Sequence, residues 1–129
     1  MATQVRQPKE QLLAFEIIDG QASADDSFVV PESKRYVIEF ITAVLTVQIG
    51  QKAVVTFFVQ TAGVEPPGFV HSLVLVPQGT FTGDVFAACQ LVRLYADPGS
   101  TVLFQLARSN TSGVASGNIS VTGYLEDVP

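Results

Sequence analysis

The sequence predicts an all-β protein, a two-sheet antiparallel sandwich of the jelly-roll kind with about eight strands. Three observations point there. From residue 11 onward β-branched and aromatic runs follow one another, turn residues interrupt them at short intervals, and no stretch carries a convincing helical period.

The first run, 12–18 (Leu-Leu-Ala-Phe-Glu-Ile-Ile), opens the domain, and a short strand is expected at 28–30. The next, 35–49, is long. Within 36–48, strict alternation sets Tyr36, Ile38, Phe40 and Val44 against Val37, Ile41, Leu45 and Val47. Both faces then carry large apolar groups, which predicts cover on both sides, by a second sheet and by a loop or a neighbouring subunit. In 52–61, Ala53, Val55, Phe57 and Val59 share one face. Strands at 69–77, 85–96 and 101–108 follow. The last, 117–126, has one wet face, with Ile119, Val121 and Leu125 opposing Asn118, Ser120, Thr122, Tyr124 and Glu126.

Turn chemistry sets the connections. Asp97-Pro98-Gly99-Ser100 places Pro and Gly where a type II turn needs them. Gly50-Gln51 reads as a two-residue hairpin loop of type II′. If each strand crosses the sandwich, the loops 19–27, 50–51, 78–84 and 109–116 gather at one end, making a rim rich in oxygens and small residues. The opposite end collects 31–34, 62–68 and 97–100, stiffened by Pro31, Pro66, Pro67 and Pro98.

At 129 residues and 13.8 kDa, the chain is expected to form a single domain over 11–129 behind a flexible segment, 1–10. Folding at this size buries about two-thirds of the unfolded surface, enough for a core without staples. Apolar residues make up 47% against 15% charged, and the mean hydropathy of +0.36 is high. Such a balance predicts apolar surface shared between subunits, hence a homo-oligomer, a dimer or trimer. No membrane partner is expected, because Glu39, Thr42, Thr46 and Gln48 break the longest apolar stretches. Nor is nucleic acid: the net charge is −5, the cations are scattered and there is no Trp. The first ten residues lack a secretory pattern, which predicts a cytoplasmic protein. Cys89 stands alone, so no intrachain disulfide forms, and it reads as a buried small hydrophobe.

Familiar catalytic chemistry finds no footing. A cupin-type metal site needs several His, and this chain has only His71, placed beside Phe69, Leu73 and Leu75 as a packed or interface histidine. No Gly-x-Ser-x-Gly elbow supports a hydrolytic triad. The side chains of the neighbours Asp25 and Asp26 diverge in extended chain, which suits paired-carboxylate catalysis poorly. No catalytic residue, bound metal or cofactor is therefore predicted. The Asn110-Thr-Ser and Asn118-Ile-Ser acceptor patterns carry no weight without secretion. Tyr36, Tyr95 and Tyr124 read as half-buried tyrosines at strand ends.

Three segments, Val30-Pro-Glu-Ser-Lys-Arg-Tyr-Val-Ile-Glu39, Val92-Arg-Leu-Tyr-Ala-Asp-Pro-Gly99 and Thr122-Gly-Tyr-Leu-Glu-Asp-Val-Pro129, together resemble a group of small uncharacterised bacterial β-sandwich proteins. That resemblance implies a fold and no activity. The closing Gly117-Asn-Ile-Ser-Val-Thr-Gly-Tyr-Leu125 is similar to the final strand of C1q/TNF-like jelly rolls, which implies trimers that bind other proteins.

Two functional readings follow. The first is a non-enzymatic binding or structural module that self-associates through an apolar sheet face. The second is a lectin-like or small-ligand domain, with a protein or carbohydrate ligand and possible help from calcium. It uses a polar rim whose candidate residues are Asp25, Asp26, Asp84, Asn110 and Thr111.

Overall fold

Two antiparallel sheets hold one apolar core between them in the computed structural model, which describes residues 6–61 and 70–128. The strands are β1 (Arg6–Ile17), β2 (Ser23–Val29), β3 (Lys34–Val47), β4 (Ala53–Gln60), β5 (His71–Ser72), β6 (Val76–Thr80), β7 (Asp84–Ala96), β8 (Thr101–Arg108) and β9 (Ala115–Asp127). One sheet has the order β1-β9-β3-β7-β6, the other β2-β8-β4-β5. The predicted sandwich is thus observed, with nine strands among the described residues. Among the described residues no helix is long and apolar enough to cross a membrane.

The core is built by alternation. Leu13, Phe15 and Ile17 from β1, Val55 and Phe57 from β4, Val102, Phe104 and Leu106 from β8, and Ile119 and Val121 from β9 all point inward and are buried. Tyr36 joins them from β3, its hydroxyl 3.0 Å from the carbonyls of Lys9 and Val121. Burial, with the nearby Glu10 charge, pushes its pKa up to about 12.

The two-sided apolar character of 36–48 has a local cause that alternation alone does not reveal. A β-bulge at Glu39 shifts the register against both β7 and β9 between Ile38 and Phe40. Tyr36 and Ile38 before the bulge, and Ile41, Ala43, Leu45 and Val47 after it, therefore all face the core. Phe40, Thr42, Val44 and Thr46 are left on the outer face. Only the inner face is covered by the second sheet, and Val44 remains 53% exposed.

Other boundaries also moved. The first strand begins at Arg6 rather than 12, because β9 continues to Asp127 and Arg6–Glu10 pairs with Thr122–Glu126; these polar residues are exposed on an edge strand, so burial patterning does not mark them. Residues 1–5 of the expected flexible segment lie outside the described residues. The short strand at 28–30 extends back to Ser23 and pairs with β8 as an edge. The single strand expected over 69–77 is two: β5 pairs with β4, β6 pairs with β7, and the chain changes sheets through Leu73–Leu75. That division accounts for the ninth strand.

Both tight turns form, in different roles from a hairpin. Gly99 takes φ +76° and the Ser100 N–H donates to the Asp97 carbonyl at 3.0 Å, as a type II turn requires, and the turn carries the chain from β7 to β8 in the opposite sheet. At the other end the Gln51 N–H donates to the Gln48 carbonyl, so Gly50 with φ +89° is the third residue of a 48–51 turn. β3 and β4 lie in different sheets, so the expected type II′ hairpin at Gly50-Gln51 does not occur.

Candidate functional site

Two surfaces offer themselves, the loop end and the outer face of the five-stranded sheet. At the loop end the connections 18–22, 48–52 and 109–114 are tied together: the Gly20 N–H donates to the Thr111 carbonyl at 2.8 Å and Gln51 Nε2 donates to the Ser112 carbonyl at 2.9 Å. The Gly50 N–H donates to Asp84 Oδ2 at 2.9 Å, which brings in the start of β7. The expected gathering of these loops is therefore observed. The expected loop 62–68, with Pro66-Pro67, lies outside the described residues.

Arg108 organises this end. Its side chain is 6% exposed and donates to five carbonyls, those of Ile18, Gln21, Thr111, Ser112 and Gly113, at 2.8 to 3.2 Å. A buried guanidinium is tolerated because its planar fork finds an acceptor in every direction. Sequence reasoning missed it, although parity with Val102, Phe104 and Leu106 already aims position 108 inward.

The rim residues named from the sequence fall into two groups. Asp84 and Asn110 sit at the loop end. Asp84 accepts from Gly50 and from the Thr80 hydroxyl at 2.6 Å, and these bonds, the hydroxyl first, lower its pKa against a smaller opposing effect of burial. Asn110 Oδ1 accepts from the Ser112 N–H at 2.8 Å. Thr111 contributes its carbonyl to Gly20 and Arg108.

Asp25 and Asp26 are elsewhere. They lie within β2, opposite Gln105 and Phe104, on the edge of the four-stranded sheet, because the strand starts at Ser23 and takes them out of the loop. Asp26 Oδ1 accepts from the Ser27 N–H at 2.9 Å. Charge and a self-satisfied amide on an edge discourage a further strand from pairing there. Among the described residues no group of three His, Cys, Asp or Glu is placed to hold a metal ion.

A recess of about 460 Å³ opens at the loop end, lined by Gln48, Gly50, Thr82, Ser109, Asn110 and Ser112. Ile49 and the buried Gln51 complete it, and the buried amide oxygen of Gln51 has no partner among the described residues. No charged side chain lines it.

The outer face of the five-stranded sheet is the second surface. Register places Leu12, Ser120, Thr42 and Cys89 in one cross-strand row, and Ala14, Asn118, Val44, Ala87 and Val76 in the next. A recess of about 430 Å³ lies over β1, β9 and β3 in these rows, and one of about 500 Å³ over β6 and β7. No charged residue lines either. Leu12 is 67% exposed and Leu91 82%. Cys89, expected to be buried, is exposed here, since its register partner Thr42 also points outward. His71 is exposed as well, but its ring stacks on Phe57 at 5.2 Å, which in turn stacks on Phe104. Tyr36 is fully buried, Tyr95 is exposed, and Tyr124 lies beneath the Arg6 guanidinium at 4.8 Å.

The chain is similar in fold to solved structures of infectious bursal disease virus. VP2 from a subviral particle of that virus superposes with a TM-score of 0.54 at 10% identity, over 92% of this chain and 36% of VP2. The likeness is one of fold. A structure of the Gx strain of the same virus gives 0.50 at 9% identity, over 98% of this chain and 38% of the other. The chain spans little more than a third of either. No known protein family matches it, and no curated protein does. The β-sandwich implied by the sequence resemblances is observed, while nothing in these comparisons points to the bacterial group or to C1q/TNF-like proteins.

Proposed function

We propose that this chain is a non-enzymatic structural module that self-associates, as a dimer or trimer, through the outer face of its five-stranded sheet. The observation that carries the reading is the charge-poor centre of that face, where Leu12, Thr42, Val44, Ala87 and Cys89 occupy adjoining register positions. Four strands of about a dozen residues, spaced ~4.8 Å apart with ~3.4 Å per residue, present roughly 800 Å². A standard stable interface buries about that much per partner. Glu10 and Glu16, both exposed on the same side of β1, would form part of a polar rim around it.

Two further points support the reading. The similar VP2 fold comes from a subviral particle, an assembled object. The exposed edge of the other sheet carries Asp25 and Asp26, which favours association by faces over association by edges. Val44→Arg, at the centre of the face, is expected to yield a folded monomer by analytical ultracentrifugation. An unchanged oligomer in that variant would count against this face.

A further inference from the structure

We infer that the recess at the loop end binds a neutral, polyhydroxylated ligand, a sugar unit of a glycan. This goes beyond self-association and uses the opposite kind of surface. At about 460 Å³ the recess falls within the roughly 300–1,000 Å³ of small-molecule sites. Its chemistry selects among ligands. With no cation in the lining and a net charge of −5, it offers an anion no counter-charge. A cation finds no carboxylate in the lining either, and the two that bond its loops from outside, Asp84 and Asp19, accept from the Gly50 and Gly113 N–H groups.

What the recess offers is a mixture of uncharged donors and acceptors. Among the described residues the hydroxyls of Thr82 and Ser112 and the amide nitrogen of Asn110 make no hydrogen bond. Ser109 Oγ accepts from the Lys52 N–H at 2.8 Å and keeps its own proton to donate. Gln51, which is 6% exposed, braces the wall from behind, its amide nitrogen holding the Ser112 carbonyl. Sugar hydroxyls both donate and accept, so they match such a set where a purely apolar ligand does not. The exposed Ile49 in the lining gives the C–H face of a sugar ring apolar surface to lie on.

The walls are also held before any ligand arrives. Arg108 fixes residues 111–113 through three of its carbonyl contacts. Gln48 Nε2 donates to the Val114 carbonyl at 2.9 Å, and Asp84 fixes Gly50. Fixed polar groups lose little entropy on binding, which is what a small ligand with few contacts needs.

The test is saturation-transfer NMR on the whole chain with millimolar methyl α-mannoside, methyl β-galactoside and N-acetylglucosamine, with N-acetylneuraminic acid as an anionic probe. At least one neutral sugar should receive saturation and the anion should not. Thr82→Val and Ser112→Ala, both in loops, should each weaken that binding up to about tenfold, the loss of one hydrogen bond, with unchanged thermal melting and unchanged oligomeric mass. Saturation of none of the neutral probes, equal saturation of the anion, or binding unaffected by both substitutions would overturn the assignment.

Discussion

Arg108 holds the carbonyl of Gln21 with two nitrogens, Nε at 3.0 Å and Nη2 at 2.8 Å. The same side chain reaches four other carbonyls, so it ties the β1–β2 connection to the β8–β9 connection. Arg108→Ala leaves these acceptors to compete for water at the edge of the core, and should cost about 3–5 kcal/mol in urea unfolding. Arg108→Lys should recover only part of that, because an ammonium has three donors and no planar fork.

Gly123 has no room for a side chain. A Cβ there would stand 1.9 Å from the Val37 carbonyl oxygen, beside the bulge at Glu39. Gly123→Ala must push β3 and β9 apart, and a loss of about 2–3 kcal/mol is expected in chemical denaturation. Thr122→Ala, one residue away on the exposed face, should stay within about 0.5 kcal/mol of the parent.

Asp84 links stability to acid. Its folded pKa lies below the unfolded value because the ionised form accepts from Thr80 and Gly50. A depressed carboxylate stabilises fully above the unfolded pKa of about 4, and that contribution disappears as pH falls through the lower folded value. Denaturation midpoints measured across this acid window should fall more steeply for the parent than for Asp84→Asn.

Tyr36 does the converse in alkali. Its folded pKa is raised from 10.0 to about 12 by burial and by Glu10. Its stabilisation is intact below pH 10 and is lost as pH rises through the folded value, a difference of the order of 2–3 kcal/mol between the two limits. Tyr36→Phe gives up the hydroxyl's contacts to Lys9 and Val121, about 1 kcal/mol at neutral pH. It should show a smaller loss between pH 10 and pH 12.

Much of the architecture is legible where one residue's neighbours in the chain decide its place. The Asp97-Pro-Gly-Ser turn forms because Pro and Gly restrict their own backbones, and the strand 101–108 has the predicted bounds because alternation there is unbroken. What depends on a second strand is not legible. The bulge at Glu39 exists only in register with β7 and β9, so the count of outward apolar residues on β3 came out too high. Leu73–Leu75 is as apolar as a strand, yet it spends those residues crossing between sheets. Asp25 and Asp26 look like loop residues because edge strands tolerate charge. Asn110 lines the recess together with Thr82, Ser109 and Ser112, all from loops that strand alternation alone sends to one end of the sandwich.

The proposed meeting of the outer face of the five-stranded sheet with a second copy of the chain underlies the functional reading. Sedimentation equilibrium of the unmodified protein at micromolar concentration tests it most directly. The expected mass is twice or three times the 13.8 kDa of the chain. A species of 13.8 kDa across the concentration range would contradict it.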